Sequence, residues 1–320
     1  MKTFLDVVKD CDNFPYPDPG NSHAYEEQLS TLWTFHLPDD IRPHGFLLDW
    51  VVQSMPWTED FQLNSSQRQV HLLRRRDAAN WQELCSQSID QVLDLAREQN
   101  IFPSLGQKRD ERFSVIGAKF PVSIERSAIS LFGIVGCGVH LTVYTRAPPT
   151  ESEPEPRIKL WIPQRNFNKS TYPGMLDNTV AGGVAEGEIP FDCLVREASE
   201  EAALSESLIR TKARSAGTVT WFNISDERAG GIPGLMNPGL LYVYDMEVGS
   251  DVVFTPVDDD IHEFHLMDVN QAKQAMLDGR FKPASANVLL DFLIRHDLIT
   301  ADEEEDYAEI VSRLHRKLPF

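Results

Sequence analysis

Along residues 78–99 the apolar side chains Trp81, Leu84, Ile89, Val92 and Leu93 recur near helical spacing, which predicts an amphipathic helix. Just before it, residues 61–73 alternate apolar and polar on either side of a Ser65–Ser66 turn, the pattern of a hairpin. A short strand is predicted over residues 113–116. The opening stretch, rich in proline and aromatics (Phe14, Pro15, Tyr16, Pro17, Pro19), carries no clear period. Together these segments predict one α+β unit over residues 1–125.

The pattern changes near Ala128, and residues 126–320 read as a second unit. In it Val139, Leu141 and Val143 alternate with His140, Thr142 and Tyr144, as in a half-buried strand. Residues 158–162 look like its partner. The intervening 147–157, prolines and glutamates with almost nothing apolar, reads as a long exposed hairpin loop. Further strands are predicted over 239–245 and 260–266. Asp268 with Gln271 makes a capping box that opens a helix, which Gly279 can close. Residues 285–297 form a strongly apolar helix. Thr300 with Glu303 is a second capping box, predicted to start a last helix with Ile310, Val311 and Leu314 inward. The acidic run 303–306 then falls in its first turn, where the helix dipole favours it. Strands flanked by helices at both ends predict a mixed sheet covered on both faces.

A chain of 320 residues can bury two cores. Its net charge of −19 opposes a protein that grips nucleic-acid phosphates, but not one that binds a phosphorylated small molecule through a divalent cation. Cys11, Cys85, Cys137 and Cys193 lie far apart with no C-x-x-C pair, which fits free thiols in a reducing compartment. Asp6 and Asp10 fit neither a secretory signal nor a mitochondrial presequence, and no apolar run has membrane-spanning length. The expectation is a cytoplasmic protein with a small-molecule partner and neither nucleic acid nor membrane; the oligomeric state stays open.

The chemistry concentrates in residues 181–204, AGGVAEGEIPFDCLVREASEEAAL. Glycines let the backbone turn or approach a ligand closely, and Pro190 suits a first helical turn. Phe191, Leu194, Val195, Ala198 and Ala202 then share one helix face, while Glu197, Glu200 and Glu201 fan out on another. At an effective dielectric of ~20, like charges ~4 Å apart repel by about 4 kcal/mol per pair. Either solvent relieves that repulsion on a plain acidic face, or a hard cation that prefers oxygen ligands sits at the focus.

The surroundings decide for the cation. From Gly182, five residues lead to Glu188 and seven more to Arg196–Glu197, followed by apolar Ala198, one residue, Glu200–Glu201, one residue, Ala203 and Leu204. This resembles the Nudix box, G-x5-E-x7-R-E-U-x-E-E-x-G-U with U apolar. Six fixed identities, each at a frequency of roughly 1 in 16, coincide by chance at ~10⁻⁷ per starting position. Two positions depart from the pattern: Ala203 replaces the last glycine, and Ile189 stands where a capping serine often precedes the helix. The resemblance implies that Glu197, Glu200 and Glu201 bind Mg²⁺ (or Mn²⁺), with the carbonyl of Ala181 as a further ligand. Arg196 would orient the glutamates and Glu188 would brace them. The general base stays open between a box glutamate and an acid outside it such as Glu263.

The likeness extends beyond the box. Glu125-Arg126-Ser127, Leu131 through Val135, Gly138-Val139-His140, Lys169 with Tyr172 through Asn178, Leu241 through Asp245, Phe281-Lys282-Pro283 and Asp291 through His296 together resemble the thiamine-pyrophosphokinase-related Nudix hydrolases. That family implies an α+β chain: a Nudix α/β/α sandwich with a mixed sheet, preceded by a smaller α+β domain. It implies hydrolysis of thiamine diphosphate-like compounds, oxidised forms such as oxothiamine or oxythiamine diphosphate preferred, to the monophosphate and phosphate. A nucleotide-type diphosphate such as ADP-ribose is the competing substrate, and a non-catalytic Nudix binding module the competing class. For substrate contact, Trp221 and Phe222 are candidates to stack on a flat ring, although adjacent strand aromatics also suit a core. Arg165 and Lys169 are candidates for phosphate, with plain solvation the alternative. Gly136-Cys137-Gly138 begins a dinucleotide fingerprint, but a strand follows it, and His262 and His265 read as structural.

Overall fold

A computed structural model describes residues 2–17, 22–75, 78–148, 157–229, 231–249, 251–257 and 259–318. Helix α1 (Phe4–Cys11) and helix α2 (Ser22–Ser30) precede strands β1 (Leu32–His36) and β2 (Gly45–Leu48). Helix α3 (Asp49–Ser54), the hairpin β3 (Phe61–Asn64) with β4 (Gln69–Leu72), and helix α4 (Trp81–Glu98) follow. The hairpin and α4 arise where the apolar pattern predicts them. The first sheet runs β2-β1-β4-β3, with β1 parallel to β4 and the other pairs antiparallel. Helix α4 buries Ile89, Val92 and Leu93 in its core. A ribbon of β5 (Arg112–Ser114) and β6 (Ser123–Glu125) leads to the short helix α5 (Ile129–Phe132).

The larger sheet contains β7 (Gly136–Ala147), β8 (Arg157–Arg165), β9 (Val180–Gly183), β10 (Arg214–Ile224), β11 (Met236–Glu247) and β12 (Ile261–Asp268). Its order among the described residues is β10-β11-β7-β8-β12, with β9 also on β7; β7 and β11 are parallel and the rest antiparallel, so the sheet is mixed. One edge of β7 serves two partners, β9 along Gly138–Leu141 and β8 along Tyr144–Ala147. The buried Thr179 fills the switch: its Oγ1 accepts from Val143 N at 2.9 Å and donates to Trp161 O at 2.6 Å. Helices α6 (Pro190–Ala202) and α7 (Glu206–Lys212) cover one face; α8 (Val269–Leu277), α9 (Pro283–Arg295) and α10 (Tyr307–Leu314) cover the other.

Three expectations change. Helix α1 does not pack with the first sheet: Val7 and Val8 are buried against α8, α9 and α10. Conversely Ile129, Leu131, Phe132 and Ile134 belong to the first core, so in packing terms the first unit runs past residue 125 as far as β7. The last helix begins at Tyr307, not after Thr300; the acidic run 303–306 precedes it in turns, and Val311 is only partly buried while Ile310 and Leu314 are inward. The Asp268–Gln271 capping box, by contrast, is formed in full. Residues 149–156 of the expected hairpin loop lie outside the described residues.

The first unit closes tightly on the segment that leads into β7. A Cβ on Gly45 would stand 2.3 Å from Phe132 O, and one on Gly133 (φ +58°) would stand 2.1 Å from Phe46 O. Only glycine lets β2 and α5 approach that closely. Leu235, at the start of β11, is itself a member of the first core.

Candidate active site

Helix α6 starts at Pro190 without a side-chain cap, because Ile189 has no acceptor to offer the free N–H groups. Its apolar stripe seats Cys193, Leu194, Ala198 and Ala202 under the sheet, with Phe191 and Val195 partly buried beside them. That packing turns the opposite face toward β9. Glu201 accepts a hydrogen bond from Ala181 N at 3.0 Å, tying helix to strand. The Glu197 carboxylate lies over Gly182, where a Cβ would come within 2.0 Å of its Cδ. The first glycine of the box is therefore the seat of a glutamate.

Arg196 is the hub. Its Nε and Nη2 donate to the two oxygens of Glu188 at 3.0 Å each, and Nη1 donates to Glu197 at 2.7 Å and to Glu200 at 3.3 Å. Glu188 also accepts from Ala185 N at 3.1 Å, which locks the loop before the helix. The hydrogen bonds from Arg196 hold the Glu188 carboxyl below its ordinary pKa. Burial does the opposite at Glu197, raising its pKa although Arg196 is in contact.

Glu188, Glu197 and Glu200 thus converge on a single guanidinium, and Glu201 stands on the same helix, bound to Ala181 N. The donors are hard oxygens with an excess of negative charge, and Glu197 is held half-buried in a cradle that only glycine leaves open. This set fits a divalent cation. As the side chains stand, with Arg196 drawing Glu197 and Glu200 to itself, no three described His, Cys, Asp or Glu residues form a metal-ligating cluster.

The other candidates separate. Trp221 lines a cavity of about 520 Å³ at the junction of the two units, together with Arg109, Ser130, Tyr172, Asn237 and Lys282. Its indole lies across Gly239, where a Cβ would meet the ring at 2.1 Å. Phe222 does not share this surface: it is buried and stacked on Phe14, with ring centroids 4.2 Å apart, because alternate strand residues face opposite sides. Arg165 is consumed by Asp177 at 2.9 Å and by the carbonyls of Thr171 and Tyr172, and Lys169 by Asp260 at 2.5 Å. Neither lines the cavity. Glu263 sits on β12 beside His265, 3.7 Å away, with no hydrogen bond or ion pair to the box among the described residues. The cavity and box are neighbours: Ser127 lines the cavity, the adjacent Arg126 lies over the Phe113 ring, 5.7 Å from its centroid, and that ring packs on Gly183, next to the seat of Glu197. Arg109 carries no signal in the sequence that would single it out. Tyr172 and Lys282 stand out there only as parts of a family pattern, since nothing local marks either as facing a pocket.

The mixed sheet between helices and the carboxylate-bearing helix beside a glycine strand are the features of a Nudix fold. The NUDIX domain family model matches residues 150–292, so this part of the chain is a Nudix domain. The chain is 30% identical over 332 aligned positions to the uncharacterised protein YJR142W of Saccharomyces cerevisiae, covering 99% of this chain and 92% of that one. It is 31% identical to Nudix hydrolase 20, chloroplastic, and to Nudix hydrolase 24, chloroplastic, both of Arabidopsis thaliana, across 72% of this chain. It spans 58% and 59% of those two relatives' lengths. No helix among the described residues is long and apolar enough to cross a membrane.

Proposed function

We propose that the chain hydrolyses the diphosphate bond of a small organic diphosphate, with Mg²⁺ or Mn²⁺ held by Glu197, Glu200, Glu201 and the carbonyl of Ala181. The observation that carries this reading is the convergence of the Glu188, Glu197 and Glu200 carboxylates on one guanidinium, with Glu201 on the same helix. A bound divalent ion supplies polarisation of the phosphate oxygens and a more acidic water. The protein's own part is placement. Glu188 fixes Arg196 through a two-point contact, and Arg196 in turn sets Glu197 and Glu200. Glu201 holds the helix on β9.

For the substrate we favour thiamine diphosphate-like compounds, cleaved to the monophosphate and phosphate, with the organic part in the junction cavity. In this reading the first unit forms part of the substrate site. The cavity's size lies within the range of small-molecule sites, and Trp221 offers a ring face. Its described lining includes Arg109 and Lys282 and no carboxylate. Such a lining supports a ring without positive charge, as in oxothiamine diphosphate, over a thiazolium cation. Four free, buried cysteines suit a reducing compartment and support a cytoplasmic setting, and the −19 charge supports a small-molecule partner over nucleic acid.

Glu201→Gln tests the catalytic reading. Turnover with saturating Mg²⁺ should fall by orders of magnitude while circular dichroism is unchanged, since the core loses nothing; activity within twofold of wild type sinks the assignment. A panel that includes thiamine, oxothiamine and oxythiamine diphosphates and ADP-ribose, read by phosphate and nucleotide release, assigns the substrate.

A further inference from the structure

The junction cavity is lined by an arginine whose side chain makes no hydrogen bond or ion pair among the described residues. Arg109 lines it from the loop before β5, and its backbone N–H donates to Glu125 Oε1 at 3.3 Å. Glu125 itself is engaged by Arg97 at 2.5 Å and by the Ser127 hydroxyl at 2.5 Å. The Arg109 guanidinium makes no hydrogen bond or ion pair among the described residues, in a chain of net charge −19. Arg109 is solvent-exposed where it lines the cavity, so its guanidinium is open to an anion that enters from solution.

From the second unit comes Lys282, at the mouth of α9 and held in place by the bridge between Leu176 and Phe281. Its Nζ stands 3.5 Å from the buried Asp177. That carboxylate is shared: it also pairs with Arg165 at 2.9 Å and accepts from the Ser285 hydroxyl. His140, buried nearby, has its pKa pushed down to about 4, chiefly by desolvation, so it is neutral and adds no charge at pH 7. One carboxylate is therefore shared between Lys282 and Arg165, and Arg109 adds a second cation to the cavity lining. The cavity keeps a positive excess while the adjacent box keeps a negative one.

We infer that Arg109 and Lys282, one from each unit, form a two-cation clamp that binds the phosphate portion of the substrate on the cavity side of the box. This rests on the junction cavity being the substrate site. Through the clamp the first unit contributes a positive charge that the Nudix domain alone cannot supply. Phosphate oxygens accept hydrogen bonds from both side chains, and two donors from different units orient the phosphate as well as bind it.

Binding of inorganic pyrophosphate, measured by titration calorimetry in EDTA, isolates the clamp from the metal site. Wild type should bind, and affinity should fall with added salt. Arg109→Gln and Lys282→Gln should each weaken binding at least tenfold, whereas Arg109→Lys and Lys282→Arg should retain most of it. Glu201→Gln, which removes a negative charge from the adjacent box, should bind pyrophosphate at least as tightly as wild type, so loss of catalysis in that variant and loss of the clamp are read separately. In turnover assays the two Gln variants should raise KM with kcat nearly unchanged, the mark of contacts shared by ground and transition states. Absence of wild-type binding, or equal affinity in folded Gln variants, overturns the clamp. Circular dichroism on each variant, with the Lys and Arg exchanges alongside, separates a lost contact from a lost fold.

Discussion

At the scale of single residues, Ala203 shows how a departure from a family pattern acquires a cost. It closes α6 in the left-handed region, φ 53° and ψ 26°, and Leu204 N donates back to Ala198 O at 3.0 Å. A side chain there crowds its own backbone, which costs roughly 1–2 kcal/mol that glycine avoids. Read as an ordinary helical position, a glycine at 203 would destabilise; in the left-handed region the sign reverses. Ala203→Gly should therefore raise stability by up to about 1 kcal/mol, after the greater freedom of glycine in the unfolded chain is subtracted. Urea denaturation followed by circular dichroism checks this, and a lower midpoint for the variant contradicts it.

At the scale of elements, the first sheet carries a pH response. Parallel pairing of β1 with β4 sets His36 beside His71, rings stacked at 4.8 Å, and His44 lies 3.3 Å from Asp40. Burial lowers the pKa of His44, and of His36, below the ordinary imidazole value. Around His44, Arg42 opposes protonation and Asp40 favours it, with Arg42 and Lys119 both paired to Asp40. The folded imidazoles thus stay neutral while the unfolded chain takes up protons below about pH 6.5. Their contribution is fully present above that pH and is lost as pH falls from there toward the folded values, by at most about 1.4 kcal/mol per imidazole per pH unit. The urea midpoint should fall between pH 7.5 and pH 5.5, and His44→Gln should flatten that slope. A variant slope as steep as wild type would place the response elsewhere.

At the scale of the whole molecule, the two units are laced together at both ends of the chain. Val8 of α1 is fully buried among α8, α9 and α10, and Phe14 stacks on Phe222. The buried Asp12 accepts from Phe222 N at 2.9 Å and from Arg316 at 3.0 Å. A fragment of residues 126–320 would expose that apolar seat and leave Arg316 buried without its carboxylate, a costly loss. It is expected to lack a cooperative thermal transition, whereas the full chain should show one. A fragment that melts cooperatively near the full-length temperature would mean that α1 is dispensable. For the same reason the first unit's share of substrate binding is better tested by Arg109→Gln than by truncation.

The helix-strand grammar of the chain was legible because it is local. Residues 61–73 and 78–99 announce a hairpin and a helix by period, and Asp268 with Gln271 announces a helix start by hydrogen-bonding capacity. The box was legible for the same reason: one helix and one glycine turn bring Gly182, Glu188, Arg196, Glu197, Glu200 and Glu201 within a single short segment. What only the tertiary structure decided is everything carried by distant contacts. Thr300 has capping chemistry and the Ala and Glu residues after it favour helix, yet only turns form over 301–306 and the helix waits until Tyr307, since tertiary context overrides local propensity. Arg165 and Lys169 look like phosphate ligands in sequence but are spent on Asp177 and Asp260, while Arg109, with no local signal, is left free in a cavity. Ion pairing is settled by what the fold brings near, and burial by which face a neighbouring element covers. A sequence states which groups can interact; only the closed chain determines which of them meet.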